Sequence, residues 1–127
     1  MDLEMFRGFA IALLIFVILD GVWLGLIIKK TYSRLLSGFK LRRISLLSAL
    51  ITYIFLAVGI SFFVIPRAES VGNAVLNGAL YGFLLYGFYN FTNYSIFENY
   101  KFEFVLIDMV WGAFASGIAS ALVFISI

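Results

Sequence analysis

Four stretches of this chain, residues 8–28, 44–65, 71–94 and 104–127, are apolar almost from end to end. Each exceeds the ~20 residues that a helix needs to cross a ~30 Å hydrocarbon core. No soluble helix needs to be apolar all round, because one stripe is enough to pack against a core. The alternative spanning structure, a closed β-barrel, needs strands of about ten residues with alternating polarity, and no such alternation occurs here. Composition agrees: 64% of the 127 residues are hydrophobic and 13% charged, against ~25% charged in soluble domains. With so few polar groups the chain cannot cover a folded surface for water, so lipid is its expected solvent. The pattern predicts a single all-α domain over residues 1–127, an integral membrane bundle of four transmembrane helices. Membrane lipid is its first partner.

The third stretch is the least apolar, since it contains Asn73, Asn77, Asn90, Thr92 and Asn93. The first resembles a secretory signal in length, but no sizeable basic segment precedes it and no A-x-A site follows it, which favours an uncleaved first helix. Six of the nine basic residues, Lys29, Lys30, Arg34, Lys40, Arg42 and Arg43, lie between the first and second stretches. The positive-inside rule then places this first loop in the cytoplasm and both termini outside. The same cluster could instead hold anionic lipid headgroups or a phosphorylated ligand. Pro66 is expected to close the second helix.

Two short segments are alike. Leu19-Asp20-Gly21-Val22-Trp23 and Ile107-Asp108-Met109-Val110-Trp111 both read apolar-Asp-x-Val-Trp. Spacing i, i+3 puts each Asp and Trp on one helix face. The first and fourth helices run antiparallel, so the likeness is compatible with an inverted repeat. Asp20 lies eight residues before Ile28 and Asp108 seven after Lys101. At ~1.5 Å per residue the two carboxylates fall at similar depth, ~10–12 Å from the end carrying the basic loop. Ser45, Ser48 and Thr52 on the second helix, and Tyr86, Asn90 and Asn93 on the third, add polar groups toward the same end. The expectation is a polar pocket open to the cytoplasm and closed on the outer side by apolar packing.

A charged Asp at a helix centre costs about 2.5–3.5 kcal/mol on insertion scales. Both should therefore face the bundle, hydrogen-bonded to Tyr86, Asn90, Asn93 or an indole N–H. Low dielectric disfavours two neighbouring negative charges, so a proton shared between Asp20 and Asp108 is a further expectation. Ionisable groups inside a membrane usually mark a functional site; packing glue is the plainer alternative. Trp23 and Trp111 are candidates for the same site, although large aromatics more often serve packing. Gly78 and Gly82, the stripe Gly112, Ser116, Ser120, and the adjacent stripe Ala113, Gly117, Ala121 fit close helix approach, either within one chain or between copies of a homo-oligomer.

Taken together, Leu19-Asp20 with Trp23-Leu24-Gly25, Tyr32, Tyr89-Asn90-Phe91-Thr92-Asn93, and Asp108 with Trp111-Gly112 and Ser116-Gly117 resemble the small predicted membrane proteins grouped as the domain of unknown function 2177. The resemblance spans nearly the whole chain and implies a four-helix membrane protein without a particular activity. The family pattern in the third helix usually reads Tyr-Asp-x-Thr-Asn. Asn90 stands at the place of that Asp, which weighs against a charge-dependent role there.

Three functions remain open. Asp20 and Asp108 could bind a small cation or proton in a transporter or channel, with Tyr86, Asn90 and Asn93 completing the site. Paired carboxylates could alternatively serve a lipid- or isoprenoid-directed membrane enzyme as acid and base, or hold a magnesium ion with substrate phosphates. The polar cluster could also simply fix helix register in a non-catalytic assembly subunit. The short chain has no His, no Cys and no recognised catalytic motif, which weighs against the enzyme. No cofactor and no nucleic-acid partner is expected, and the residues suggest no particular metal.

Overall fold

The computed structural model describes residues 2–40 and 43–127; of the basic first loop, Arg42 lies outside the described residues. Helix α1 runs Leu3–Val22 and continues through a π-turn, Trp23–Ile27. A short helix α2 follows at Lys29–Leu35. Helix α3, Leu46–Gly59, ends through a second π-turn, Ile60–Val64, and a 3₁₀ turn, Ile65–Arg67. Helices α4, Val71–Ile96, and α5, Phe102–Ser126, complete the chain. Four segments, Leu3–Ile27, Leu46–Arg67, Val71–Ile96 and Phe102–Ser126, are long and apolar enough to span a membrane. No strand occurs among the described residues.

Local chemistry sets several boundaries. Asp2, Ser45 and Ser70 occupy the N-cap positions of α1, α3 and α4, and each side chain accepts a backbone N–H of the first turn. Pro66 sits in the 3₁₀ turn that closes the second span, where its missing N–H costs little. The first loop is not simply a loop. Ile28, Tyr32, Leu35 and Leu36 recur at i, i+4, i+7 and i+8, so residues 29–35 form an amphipathic turn of helix. Its Tyr32 and Leu35 are buried while Lys29, Lys30 and Arg34 remain exposed. Arg34 pairs with Glu103 at 3.1 Å on the surface, a contact that adds little stability.

Lipid is the solvent that fits the outer surface. Leu14, Phe55, Phe88, Val110 and Ile125 stand exposed among many other large apolar side chains, which in water would form an outsized hydrophobic patch. Helix α1 buries only Gly8, Ala12 and Phe16, a single i, i+4, i+8 stripe. The tightest pair is α4 with α5. A Cβ at Gly82 would collide with the Gly112 carbonyl and Ser116, and one at Gly78 with Ser120. The stripe Gly112, Ser116, Ser120 therefore packs inside the chain, which removes it as an exposed surface for a second copy. Gly117 lies beside Val75 and Ala79.

At the end away from the basic loop the bundle packs apolar side chains, beside a recess of ≈ 460 Å³ bordered by Asp2, Glu4 and Ser61. Phe16, Ile60, Val64, Ala115, Ala119 and Val123 form a continuous apolar core there. The Ser61 hydroxyl donates to the Met5 carbonyl at 2.6 Å, and Arg7 donates to the carbonyl of Ser126. At the opposite end α2 folds over α1 and α5, and Tyr32 and Leu35 pack with Tyr100, Phe104, Val105 and Met109. The side is less complete. Helix α4 meets the second span chiefly through the π-turn Ile60–Val64 and through Tyr81, whose hydroxyl reaches the Leu56 carbonyl at 3.3 Å. Nearer the basic loop, a cavity of ≈ 420 Å³ separates α3 from α4.

Candidate functional site

That cavity is lined by Asp20 of α1, Thr52, Phe55 and Leu56 of α3, Leu85, Tyr86, Phe88 and Tyr89 of α4, and Asp108 of α5. Counted along the helices, Asp20 is ~10 Å from Ile27 and Asp108 ~9 Å from Phe102, so both sit at one level below the basic-loop end.

Each carboxylate oxygen takes a hydrogen bond from a neutral donor. Asp20 accepts at Oδ2 from the Tyr53 hydroxyl at 2.7 Å and at Oδ1 from the Trp111 indole N–H at 2.8 Å. Asp108 accepts at Oδ1 from the Tyr32 hydroxyl at 3.0 Å and at Oδ2 from the Asn90 amide at 2.7 Å. Asn90 is 0% exposed. Its amide also donates to the Tyr86 carbonyl at 2.9 Å, and its own carbonyl accepts from the Tyr100 hydroxyl at 2.7 Å. Three of the four carboxylate bonds, at 2.7–2.8 Å, are short, and together the four fix both side chains. Among the described residues, no Lys or Arg lines the cavity.

The two Asp-x-Val-Trp segments interlock. The indoles of Trp23 and Trp111 stack at 4.3 Å between centroids with an interplanar angle of 2°. Trp111 serves the Asp of the other segment, Asp20. Trp23 donates at 3.3 Å to the Tyr32 hydroxyl, which itself holds Asp108. The arrangement is approximately reciprocal: each tryptophan supports the opposite carboxylate, one directly and one through a tyrosine. A π-turn starts at Trp23, where Ile28 N–H bonds back to the Trp23 carbonyl at 2.9 Å. Such turns widen a helix locally and often occur at functional sites.

Of the residues singled out by sequence, Asp20, Asp108, Asn90, Trp23 and Trp111 belong to this connected network, and Tyr86 lines the cavity. Asn93 lies instead beside the Tyr100 hydroxyl. Ser45 and Ser48 do not line the cavity: Ser45 caps α3 by accepting the Ser48 N–H and donates to the Ser48 hydroxyl, whereas Thr52 lines the cavity. Every Asp20 and Asp108 oxygen is bonded to its own neutral donor, and no hydrogen bond joins the two carboxylates directly among the described residues. Helix α2 lies over α1 and α5 at the loop end, and Phe55 of α3 and Phe88 of α4, at 69% and 76% exposure, frame the cavity between those two helices.

Sequence alone does not point to Tyr53 or Tyr100 as site residues, and Tyr32 enters only within a family motif. Tyr32 and Tyr100 lie outside the spans. Burial, reinforced by Asp108, raises the ionisation of the Tyr32 hydroxyl well above that of an ordinary tyrosine. Burial likewise pushes the Tyr100 hydroxyl up to about 12. Both therefore remain neutral donors at physiological pH. Among the described residues no group of three or more Asp or Glu side chains converges as a metal cage.

A protein-family model described as "Predicted membrane protein (DUF2177)" matches residues 5–125. No curated protein and no solved structure matches the chain.

Proposed function

The chain belongs to the DUF2177 family of predicted membrane proteins, and from that premise we propose that it binds a cation or proton inside the bilayer at Asp20 and Asp108 and moves it in a transport cycle. The observation that supports this reading is a single cavity bordered by two carboxylates whose hydrogen bonds all come from neutral donors, with no basic side chain on its wall among the described residues. Four neutral bonds orient the carboxylates but leave their charge uncompensated, and in low dielectric an uncompensated charge is costly. A bound cation or proton relieves that cost.

Trp111, Tyr53, Tyr32 and Asn90 are the positioning residues. They hold the oxygens in place through both halves of a cycle, so release of the cation does not require the carboxylates to find new partners. The site lies in the half of the bundle near the basic loop, which the positive-inside rule assigns to the cytoplasm. The apolar core beyond it serves as the closed gate. Transport then requires this core to part while the mouth between α3 and α4 closes, and the π-turns at Trp23–Ile27 and Ile60–Val64 are the places where the flanking helices are least regular.

Proteoliposome flux tests the proposal. Purified protein reconstituted at high internal cation or proton load is expected to dissipate the gradient. Asp20→Asn and Asp108→Asn, which keep shape and remove charge, are each expected to lower the rate by about ten-fold or more. Unchanged flux in both variants would remove the mechanism.

A further inference from the structure

The cavity that holds the carboxylates differs from an aqueous ion site in its mouth. Phe55, Leu85 and Phe88 frame it, and all are exposed on the lipid-facing side of the bundle between α3 and α4. Thr52 lies six residues into α3 and Tyr89 seven residues before the end of α4, so the mouth sits ~10 Å inside the helix ends. At that depth it meets acyl chains. A hydrated inorganic ion would have to shed its water to pass through such a mouth, and carrying compact charge into hydrocarbon is expensive. A cation whose charge is spread over, or shielded by, an apolar body pays much less.

Three further features select the same ligand. The volume of ≈ 420 Å³ falls in the range of small-molecule sites, far above what a bare ion requires. The wall presents the aromatic side chains Phe55, Tyr86, Phe88 and Tyr89, and aromatic faces attract organic cations. Finally, among the described residues no Lys or Arg stands on the wall to pair with a phosphate or carboxylate, which disfavours phospholipid headgroups and fatty acids.

We infer that the site takes a lipophilic organic cation, an amine or quaternary onium with an apolar body, which reaches Asp20 and Asp108 sideways from the bilayer between α3 and α4. This rests on the cation-binding reading and adds the ligand class and its route. The charged centre lies between the two carboxylates, and the apolar body rests on Phe55, Leu85 and Phe88.

Calorimetric titration of the full chain in detergent tests this with two probes, tetraphenylphosphonium and tetramethylammonium. Tetraphenylphosphonium should bind more tightly by about a hundred-fold, and the double substitution Phe55→Ala/Phe88→Ala should shrink that preference by about ten-fold. Asp20→Asn/Asp108→Asn should abolish binding of both. Equal affinity for the two probes, together with loss of binding in the Asp variant, would overturn the lipophilic ligand and leave a general cation site standing. Binding of both probes that survives the Asp substitutions would overturn the cation site as well. Should the Asp variant fail to fold, the change in preference on Phe55→Ala/Phe88→Ala still decides, and an unchanged preference would refute the route and the ligand class.

Discussion

Replacing Asn90 by Leu keeps side-chain volume nearly constant while deleting the amide at the centre of the site. Three hydrogen bonds go: to Asp108 at 2.7 Å, to the Tyr86 carbonyl at 2.9 Å, and from the Tyr100 hydroxyl at 2.7 Å. In soluble proteins a bond to a charged partner contributes about 1.5–3 kcal/mol and a neutral one about 1 kcal/mol. Inside membranes the unfolded chain also finds partners, and measured side-chain bonds average about 0.6 kcal/mol with a maximum near 1.7. Asn90 is fully buried and its carboxylate bond is short, so the upper part of the membrane range applies to that bond, with smaller amounts from the other two. The expected loss is about 2–3 kcal/mol. Reversible unfolding in mixed micelles, followed by circular dichroism against denaturing-detergent fraction, reads it. A double-mutant cycle with Asp108→Leu isolates the pair, and its coupling should be about 1 kcal/mol or more. A single variant within about 0.5 kcal/mol of the parent, with coupling near zero, would show that Asn90 does not hold Asp108, and the description of the site would fail at its most buried contact.

Other consequences are as direct. Gly82→Leu drives a side chain into the Gly112 carbonyl and Ser116, and should cost about 3 kcal/mol or prevent folding; Gly25→Ala, where a Cβ meets nothing, should be neutral or stabilising by up to about 1 kcal/mol. Thermal denaturation in detergent distinguishes them, and equal effects would refute the packing of α4 on α5. Trp111→Phe removes the direct 2.8 Å donor to Asp20 and should impair cation flux more than Trp23→Phe, which loses a 3.3 Å bond one step removed from Asp108; the reverse order would contradict the network. Tyr100 ionises near 10 when exposed and near 12 when folded, so the folded state holds its proton more tightly. The resulting stabilisation is complete below pH 10 and is lost as pH rises toward 12. Ultraviolet titration should show this tyrosine ionising late, and Tyr100→Phe should flatten the alkaline stability loss.

The spans were legible because lipid imposes a simple demand, about twenty apolar residues at a time. The two carboxylates were legible for the same reason, since a charge inside such a run stands out at once. Tyr32 and Tyr53 were not, because tyrosine is an ordinary residue near a membrane interface and nothing in its identity announces a bond to a distant Asp. The apolar spacing of Ile28, Tyr32, Leu35 and Leu36 does mark a helix, but the lysines and arginine between them read first as a topology signal. Spacing correctly aligns each Asp with the Trp three residues on, yet it cannot say that Trp111 serves Asp20, which depends on how α1 crosses α5. The sideways mouth had no signature either. It arises where α3 and α4 do not close, and Phe55 and Phe88 look like any lipid-facing residues.

Modification by a lipid-soluble carbodiimide bears most directly on the claim that Asp20 and Asp108 form a cation site reached from the bilayer. Mass mapping of the labelled protein should find adducts on Asp20 and Asp108 ahead of Asp2, Glu4, Glu69 and Glu98, and tetraphenylphosphonium should slow their appearance. Adducts confined to the surface carboxylates, or labelling of Asp20 and Asp108 that the cation does not affect, would contradict the account.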